Sequence, residues 1–326
     1  MTKPLNWGLL STARINRALI PPLKRSKRTC LLAVASRDLA SAEAYAREWH
    51  IPRAHGSYEA LLADPEIDVI YNPLPNHLHA EWTVRALRAG KHVLCEKPMT
   101  LTLAEMDEII SVARETGRVV AEAFMYRHHP QTLKVREIVA SAALGELQLI
   151  RGAFTFTLNR AGNYRFDPAS GGGSLWDVGC YPVSYARMLV DAEPLEVFGW
   201  QVEGPGGIDE SFVGQMRFAG GIHVQFDCGF KSPFRAWMEI IGSDGVLRVP
   251  NPFKPGRGEQ VTLARGDQVE TLKMPNADLY LGEVEDLCDA IERGFSPRVT
   301  LDDSRGNLAA LLALLTSART GKPVAL

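Results

Sequence analysis

Lys97 stands between Glu96 and Pro98, directly after the apolar run His92 to Cys95. A lysine at the tip of a buried strand is partly desolvated, which lowers its pKa and suits it to proton transfer at an alcohol or carbonyl oxygen. A cis bond at Pro98 would aim that lysine. As a bare tripeptide, Glu-Lys-Pro also reads as a solvated loop with a salt bridge. Farther along, Gly171-Gly-Gly-Ser-Leu-Trp-Asp-Val-Gly-Cys-Tyr181 is a glycine-rich turn leading into a helix. Asp177 and Tyr181 are four residues apart, so on an α-helix they share a face and can point into one cleft. A tyrosine hydroxyl beside a lysine and an oriented carboxylate can give or take a proton. A core tyrosine with a capping aspartate explains the same spacing equally well.

Other segments could hold a nucleotide. The first strand-to-helix turn reads Trp7-Gly-Leu-Leu-Ser-Thr-Ala-Arg-Ile-Asn16, with Ser11, Ala13 and Asn16 at the places of the three dinucleotide-binding glycines. The glycine pattern therefore fails, and a plain turn with Ser11 or Thr12 capping the helix fits. Small residues and free N–H groups at a helix start still suit a pyrophosphate. Pro21 and Pro22 should leave that helix short or kinked. The second apolar run ends Val34-Ala-Ser-Arg-Asp38. Ser36 and Arg37 there suit a ribose 2′-phosphate, and Asp38 is expected to cap the next helix. A surface arginine without a ligand is the alternative for Arg37. Pro73-Leu-Pro-Asn-His-Leu-His79 follows the run Val69 to Asn72 and should line the ligand-binding edge of the sheet. His77 with His79, and His128 with His129, invite a metal, but no third ligand cluster with zinc-like spacing accompanies them, so no metal is expected.

The elements that must position these residues follow from periodicity. Runs at Asn6 to Leu10, Cys30 to Ala35, Val69 to Asn72, His92 to Cys95 and Val119 to Ala123 alternate with amphipathic stretches Leu39 to Trp49, His79 to Ala89 and Leu103 to Thr116. That rhythm predicts βαβ units on a doubly wound parallel sheet. After Pro130 the alternating runs Gln148 to Thr157, Leu195 to Val202, Ser211 to Phe218, His223 to Phe230 and Trp237 to Ile241 predict consecutive hairpins and a largely antiparallel sheet. A final helix from Asp303 to Arg319 should stop at Gly321 and Pro323. The fold class is α/β, with one domain over residues 1–126 and an α+β domain over 127–326 that carries a large, mostly antiparallel open sheet. The C-terminal helix is expected to pack back on the first domain.

With 46% apolar residues in 326, the chain can bury two cores, and a net charge of −2 gives no field to draw a polyanion or an anionic membrane. Nucleic acid and membrane are excluded as partners. The basic cluster Lys24, Arg25, Lys27 and Arg28 lacks interleaved aromatics and reads as a solvated helix end. Five scattered cysteines without a C-x-x-C pair fit a reducing compartment, and no signal peptide or membrane span is evident, so a soluble cytoplasmic protein is expected.

In this order the segments resemble the Gfo/Idh/MocA family, the group of glucose-fructose oxidoreductase and inositol dehydrogenase, over essentially the whole chain. Glu96-Lys97-Pro98, Pro75-Asn76 with His79, and Gly171 through Asp177-Val-Gly carry the likeness; each is weak alone. Ser11-Thr12-Ala13, Ser36-Arg37 and Gly179-Cys180-Tyr181 are most similar to the branch holding glucose-fructose oxidoreductase, xylose dehydrogenase and dimeric dihydrodiol dehydrogenase. The resemblance implies an N-terminal Rossmann dinucleotide-binding domain and a second domain whose open sheet makes a homodimer or homotetramer. It implies that Lys97 binds and polarises the reacting oxygen, with Asp177 and Tyr181 completing the proton-transfer site. Tyr181 stands where many relatives carry His. Cofactor contacts are expected from Ser11, Thr12, Ala13, Arg14, Ile15, Ser36, Arg37, Pro73, Leu74, Asn76, His79, Glu96 and Lys97, and from Tyr164 and Arg165, which sit where relatives show Trp-Arg beside the nicotinamide. The cofactor is NADP, with NAD the alternative. The implied activity is hydride transfer at a CH–OH or C=O carbon of a carbohydrate-like small molecule, favoured as an aldose of xylose or glucose type oxidised at C1. A trans-dihydrodiol dehydrogenase or keto-sugar reductase is the alternative, and a non-catalytic NADP-binding sensor or partner protein is the alternative of another class.

Overall fold

The computed structural model describes residues 3–160 and 162–326. The chain forms two compact units that interleave along its length: residues up to His128 with Tyr280–Ser304, and His129–Leu279 with Arg305–Leu326. The sequence-based division at residues 126 and 127 has no counterpart to the return of residues 280–304.

In the first unit, β1 (Leu5–Leu10), α1 (Asn16–Arg25), β2 (Thr29–Ala35), α2 (Leu39–Trp49), β3 (Arg53–His55), α3 (Tyr58–Leu62), β4 (Val69–Asn72), α4 (His79–Arg88), β5 (His92–Glu96), α5 (Leu103–Thr116) and β6 (Val120–Ala123) follow in order. The six strands pair in the order β3-β2-β1-β4-β5-β6, and every pairing is parallel. This is the doubly wound arrangement, whose chain reversal between β1 and β4 opens a crevice at the carboxyl ends of the strands. The central strands are mostly apolar because helices cover a parallel sheet on both faces: Trp7, Leu9, Val34, Val69, Tyr71 and Leu94 are all essentially inaccessible. Asp38 caps α2, accepting from the Ser41 N–H at 2.8 Å. By contrast, neither Ser11 nor Thr12 caps α1. Its first turn follows Ile15 with no side-chain cap, and the helix continues through Pro21 and Pro22 to Arg25. A ten-residue helix contains few interior bonds for the two prolines to remove.

The second unit contains α6 (Pro130–Ala140), β7 (Leu147–Thr155), α7 (Cys180–Val190), β8 (Glu196–Glu203), β9 (Asp209–Arg217), β10 (His223–Gly229), β11 (Arg235–Gly242), β12 (Val246–Pro250), β13 (Gln260–Arg265) and β14 (Gln268–Lys273). Then α8 (Leu281–Arg293) belongs to the first unit, α9 (Leu301–Thr320) starts there and ends in the second, and β15 (Val324–Ala325) closes the chain. The nine-stranded order is β14-β13-β12-β11-β7-β10-β9-β8-β15, antiparallel at each pairing but one. The exception is β10 beside β7, which run parallel, so these strands are not a simple series of hairpins. The final helix ends as expected at Gly321, whose φ of 66° is the left-handed conformation of a glycine stop.

Two polar devices fix parts that periodicity alone does not place. The apolar stripe of α8, Val284 and Leu287, enters the core around Trp7 and Leu23. Along its edge, Glu285, Asp289 and Glu292 lie one and two turns apart and all reach Arg28, at 2.9, 2.9 and 2.7 Å. In the second unit, Asp209 at the start of β9 is buried. It accepts from the Ser174 hydroxyl at 2.6 Å and from the Leu175 N–H at 2.7 Å, where the helical segment carrying Asp177 begins. Burial pushes the Asp209 carboxyl up to about 6.

Arg28→Ala should therefore cost about 2 kcal/mol in urea unfolding, since three carboxylates on one helix face lose their shared cation; a change within ~0.5 kcal/mol would contradict that anchor. Asp209 binds its proton more tightly folded than unfolded, so its contribution to stability is complete below about pH 4 and is lost as pH rises through about 6. Between those limits the wild type should lose on the order of 3 kcal/mol more than Asp209→Asn. Parallel stability curves for the two proteins would refute this.

Candidate active site

At the carboxyl edge of the parallel sheet, the turn after β1 is built without glycine. Ser11 has φ 87°, the left-handed conformation that glycine adopts at least cost. The fully buried Asn16 compensates: its side-chain amide donates to the Ser11 carbonyl at 2.8 Å and locks the turn. Among the described residues, the N–H groups of Thr12, Ala13, Arg14 and Ile15 meet no backbone acceptor. They stand open at a helix start, where an anion is stabilised by N–H groups and by the helix dipole. A cavity of about 510 Å³ adjoins them, lined by Thr12, Arg14, Arg17, Ser41, Tyr45 and Glu48 among others. Arg17, Ser41 and Tyr45 were not anticipated from sequence. The three-residue interval from Arg14 to Arg17, which places both on one side of a helical turn, was the available signal. Ser36 is half-buried and Arg37 exposed at the tip of β2, outside that cavity; Asp38 beside them is occupied by its cap.

The next two strands bring residues 73–79 and 96–99 to the same edge, because β4 pairs in register with β5 from Val69 opposite His92 to Asn72 opposite Cys95. Pro73, Leu74 and Asn76 are buried. Glu96 accepts from the Tyr71 hydroxyl at 2.6 Å. Lys97 is half-buried, and the Lys97–Pro98 bond is cis. His79 departs from its expected role as a cofactor contact. Its ring is 1% exposed, with Nδ1 2.7 Å from the Pro98 carbonyl oxygen and Nε2 2.6 Å from that of Leu74, so it presents no free nitrogen to a ligand or a metal. Burial pushes its pKa down to about 4. Among the described residues, no group of three or more His, Cys, Asp or Glu is placed to hold a metal ion.

In the second unit, the segment after β7 folds back on itself through Asn163, which accepts from the Arg165 N–H, and Asp167, which accepts from the Ala169 N–H. Gly172 is required here, since a side chain would put its Cβ 2.5 Å from the Arg165 carbonyl oxygen. The turn delivers Arg165 to Asp177, Nε to Oδ2 at 2.9 Å, with the guanidinium also over the Tyr164 ring at 4.8 Å. Burial opposes the Arg165 charge, but Asp177 together with the Tyr164 and Tyr181 hydroxyls outweighs it, so its pKa is raised. The expectation of an α-helix from Asp177 to Tyr181 is corrected. Leu175–Gly179 is a π-helix that passes into α7 at Cys180, and such insertions mark functional sites. Tyr181 is 4% exposed, its ring edge-on to Phe154 and tilted against Phe253. Tyr164, Arg165 and Asp177 are thus one cluster in the second unit, and Glu96, Lys97 and the 73–79 segment one cluster in the first.

Comparisons with known proteins agree with these two halves. Residues 5–124 match the Gfo/Idh/MocA family model, described as an oxidoreductase family with an NAD-binding Rossmann fold, and residues 132–248 match a Gfo/Idh/MocA C-terminal domain. The chain is 38% identical to D-xylose 1-dehydrogenase (NADP(+)) 2 of Haloferax volcanii, over 98% of this chain and 99% of that one. It is 33% identical to trans-1,2-dihydrobenzene-1,2-diol dehydrogenase of Macaca fascicularis, over 76% of this chain and 75% of the other. A 3-ketoreductase from Actinomadura kijaniata, solved with NADP and TDP-benzene, superposes with a TM-score of 0.91 at 31% identity, covering 97% of this chain and 98% of its own. No helix among the described residues is long and apolar enough to cross a membrane. The chain belongs to the Gfo/Idh/MocA family of oxidoreductases, with the family's NAD-binding Rossmann fold in its N-terminal half and its C-terminal domain after it.

Proposed function

We propose that the protein is an NADP-dependent dehydrogenase that oxidises an aldopyranose at C1 to the lactone. The observation that carries this reading is Lys97: a half-buried lysine at the carboxyl end of β5, on the edge where open parallel sheets bind ligands. The open N–H groups of residues 12–15 and the neighbouring Arg14 fit a pyrophosphate, and Ser36 and Arg37 fit a 2′-phosphate because Asp38 is engaged as a helix cap. The bound nicotinamide supplies the hydride acceptor. In the oxidative direction the Lys97 amine hydrogen-bonds the substrate oxygen and stabilises the negative charge that develops there. Tyr181 reacts as the phenolate, takes the hydroxyl proton and ends as the neutral phenol, and Asp177, held by Arg165, orients the sugar hydroxyls as an acceptor. The ketoreductase from Actinomadura kijaniata has been solved with a lysine and a tyrosine replaced at the same chain separation as Lys97 and Tyr181. The full-length likeness to a D-xylose 1-dehydrogenase favours the aldose. The likeness to that ketoreductase favours reduction of a nucleotide-linked keto-sugar as the second reading.

A second copy of the chain is the proposed partner for the outer face of the nine-stranded sheet. Trp200 is paired with Val213 across β8 and β9, and they are 55% and 44% exposed. An apolar patch on an open sheet is stabilised by a self-complementary interface.

With D-xylose, D-glucose, a dihydrodiol and a keto-sugar offered with NADP(H), turnover should be greatest on an aldose, and Lys97→Met or Tyr181→Phe should lower kcat by roughly 10²–10⁴ with NADP binding retained. Near-wild-type turnover by Lys97→Met would overturn its assignment. Arg37→Ala should weaken NADP by about tenfold or more while leaving NAD unchanged, read by fluorescence titration. Light scattering at micromolar concentration should show a dimer or larger, and a monomer would refute the proposed interface.

A further inference from the structure

Three polar side chains from three different elements converge on residues 96–99. Tyr71 on β4 donates to Glu96. His79 on α4 bridges the carbonyls of Pro98 and Leu74. Glu122 on β6 accepts from the Met99 N–H at 2.8 Å through Oε1, and it is 4% exposed. An ordinary turn does not call for such groups. Burying a carboxyl and an imidazole costs several kcal/mol more than burying apolar side chains of similar shape, unless each is fully bonded. Glu122 is not fully bonded: its Oε2 has no hydrogen-bond partner among the described residues, and burial pushes the carboxyl up to about 7. Lys97 and Asp303 are the charged groups acting on it, with opposite effects, and the Ser304 hydroxyl lies beside it. The neutral His79 ring has one N–H to share between two carbonyls. Both groups are thus committed, at a cost in stability, to the backbone immediately following Lys97.

We infer that His79 and Glu122 are positioning residues for Lys97, clamping the Lys97–Pro98–Met99 backbone from α4 on one side and β6 on the other so that the lysine amine meets the substrate oxygen in a fixed geometry. The inference rests on the reading of Lys97 as the group at that oxygen. A misplacement of about 1 Å at a reacting group costs on the order of 10²-fold in rate. The clamp should therefore appear in kcat rather than in cofactor affinity.

The experiment compares Glu122→Ala, Glu122→Gln, His79→Ala and Lys97→Met with the wild type, using D-xylose and NADP for kcat and KM and fluorescence titration for NADP binding. In parallel, acetylation of Lys97 by acetic anhydride is measured by peptide mass spectrometry relative to exposed lysines, which reads the amine's environment without turnover. Glu122→Ala and His79→Ala should lower kcat by roughly 10- to 100-fold, with NADP binding unchanged and Lys97 labelling altered. Glu122→Gln, whose amide oxygen still accepts from Met99, should restore most of both. A merely structural role would lower the unfolding midpoint but leave kcat per folded molecule and Lys97 labelling as in the wild type, and that result would overturn the inference. If Lys97→Met itself turns over normally, the catalytic reading of Lys97 fails instead, whatever the labelling shows. Should Glu122→Ala not fold, Glu122→Asp, which keeps the carboxyl but withdraws it by one methylene, takes its place under the same criteria.

Discussion

The parallel pairing of β4 with β1 on one side and β5 on the other is the constraint on which the nucleotide-binding half depends. Parallel strands deliver all their carboxyl ends to one edge, so the turn after β1, the 73–79 segment and the Glu96–Met99 turn arise together there. Apart from a 3₁₀ turn at Asn76–Leu78, these segments are irregular, and each is held by side chains from its neighbours. Asn16 ties down Ser11, Tyr71 holds Glu96, and His79 joins the Leu74 and Pro98 carbonyls. A buried backbone carbonyl or N–H left without a partner costs as much as a lost hydrogen bond, which is why irregular chain at this edge requires dedicated polar side chains.

The second unit solves a related problem with charge. Its irregular segment between β7 and the π-helix carries Arg160 and Arg165, and each meets a buried carboxylate: Glu210 for Arg160, with Lys231 as a second cation, and Asp177 for Arg165. Removing one member of such a pair leaves an uncompensated buried charge, so these pairs hold the loop to one conformation even where their net contribution to stability is small. Asp209, next to Glu210 on β9, fixes the start of the π-helix by hydrogen bonds from the Ser174 hydroxyl and the Leu175 N–H. The arrangement of Tyr164, Arg165 and Asp177 therefore depends both on the loop's own turns and on the β9 carboxyls that anchor its flanks.

Much of the architecture was legible in the residue pattern. The boundaries of α2 and α5 coincide with their amphipathic stretches, because Asp38 and Thr102 cap them and His50 and Gly117 adopt the left-handed backbone that ends them. Short elements such as β3, with only three half-buried residues, carry too little periodicity to be recognised. The return of α8 to the first unit was not legible either, since its apolar stripe is compatible with any core. What selects the core is the contact of Val284 and Leu287 with it and the reach of Arg28 to three carboxylates, far apart in sequence.

By itself the sequence determined the class of each half and where its candidate groups stand: a lysine at a strand tip, an aspartate and a tyrosine after a glycine turn, parallel pairing before Pro130 and mainly antiparallel pairing after it. Those features depend on local spacing and on burial of apolar periodicity, which are written in the order of residues. Only the tertiary structure decided that Ser11 takes the conformation of the missing glycine, that Asp177 sits in a π-helix facing Arg165, and that His79 is spent on backbone carbonyls. Each of these is settled by a partner from another element, and the energy of a buried polar group depends on whether that partner is within hydrogen-bond reach, which spacing along the chain does not encode.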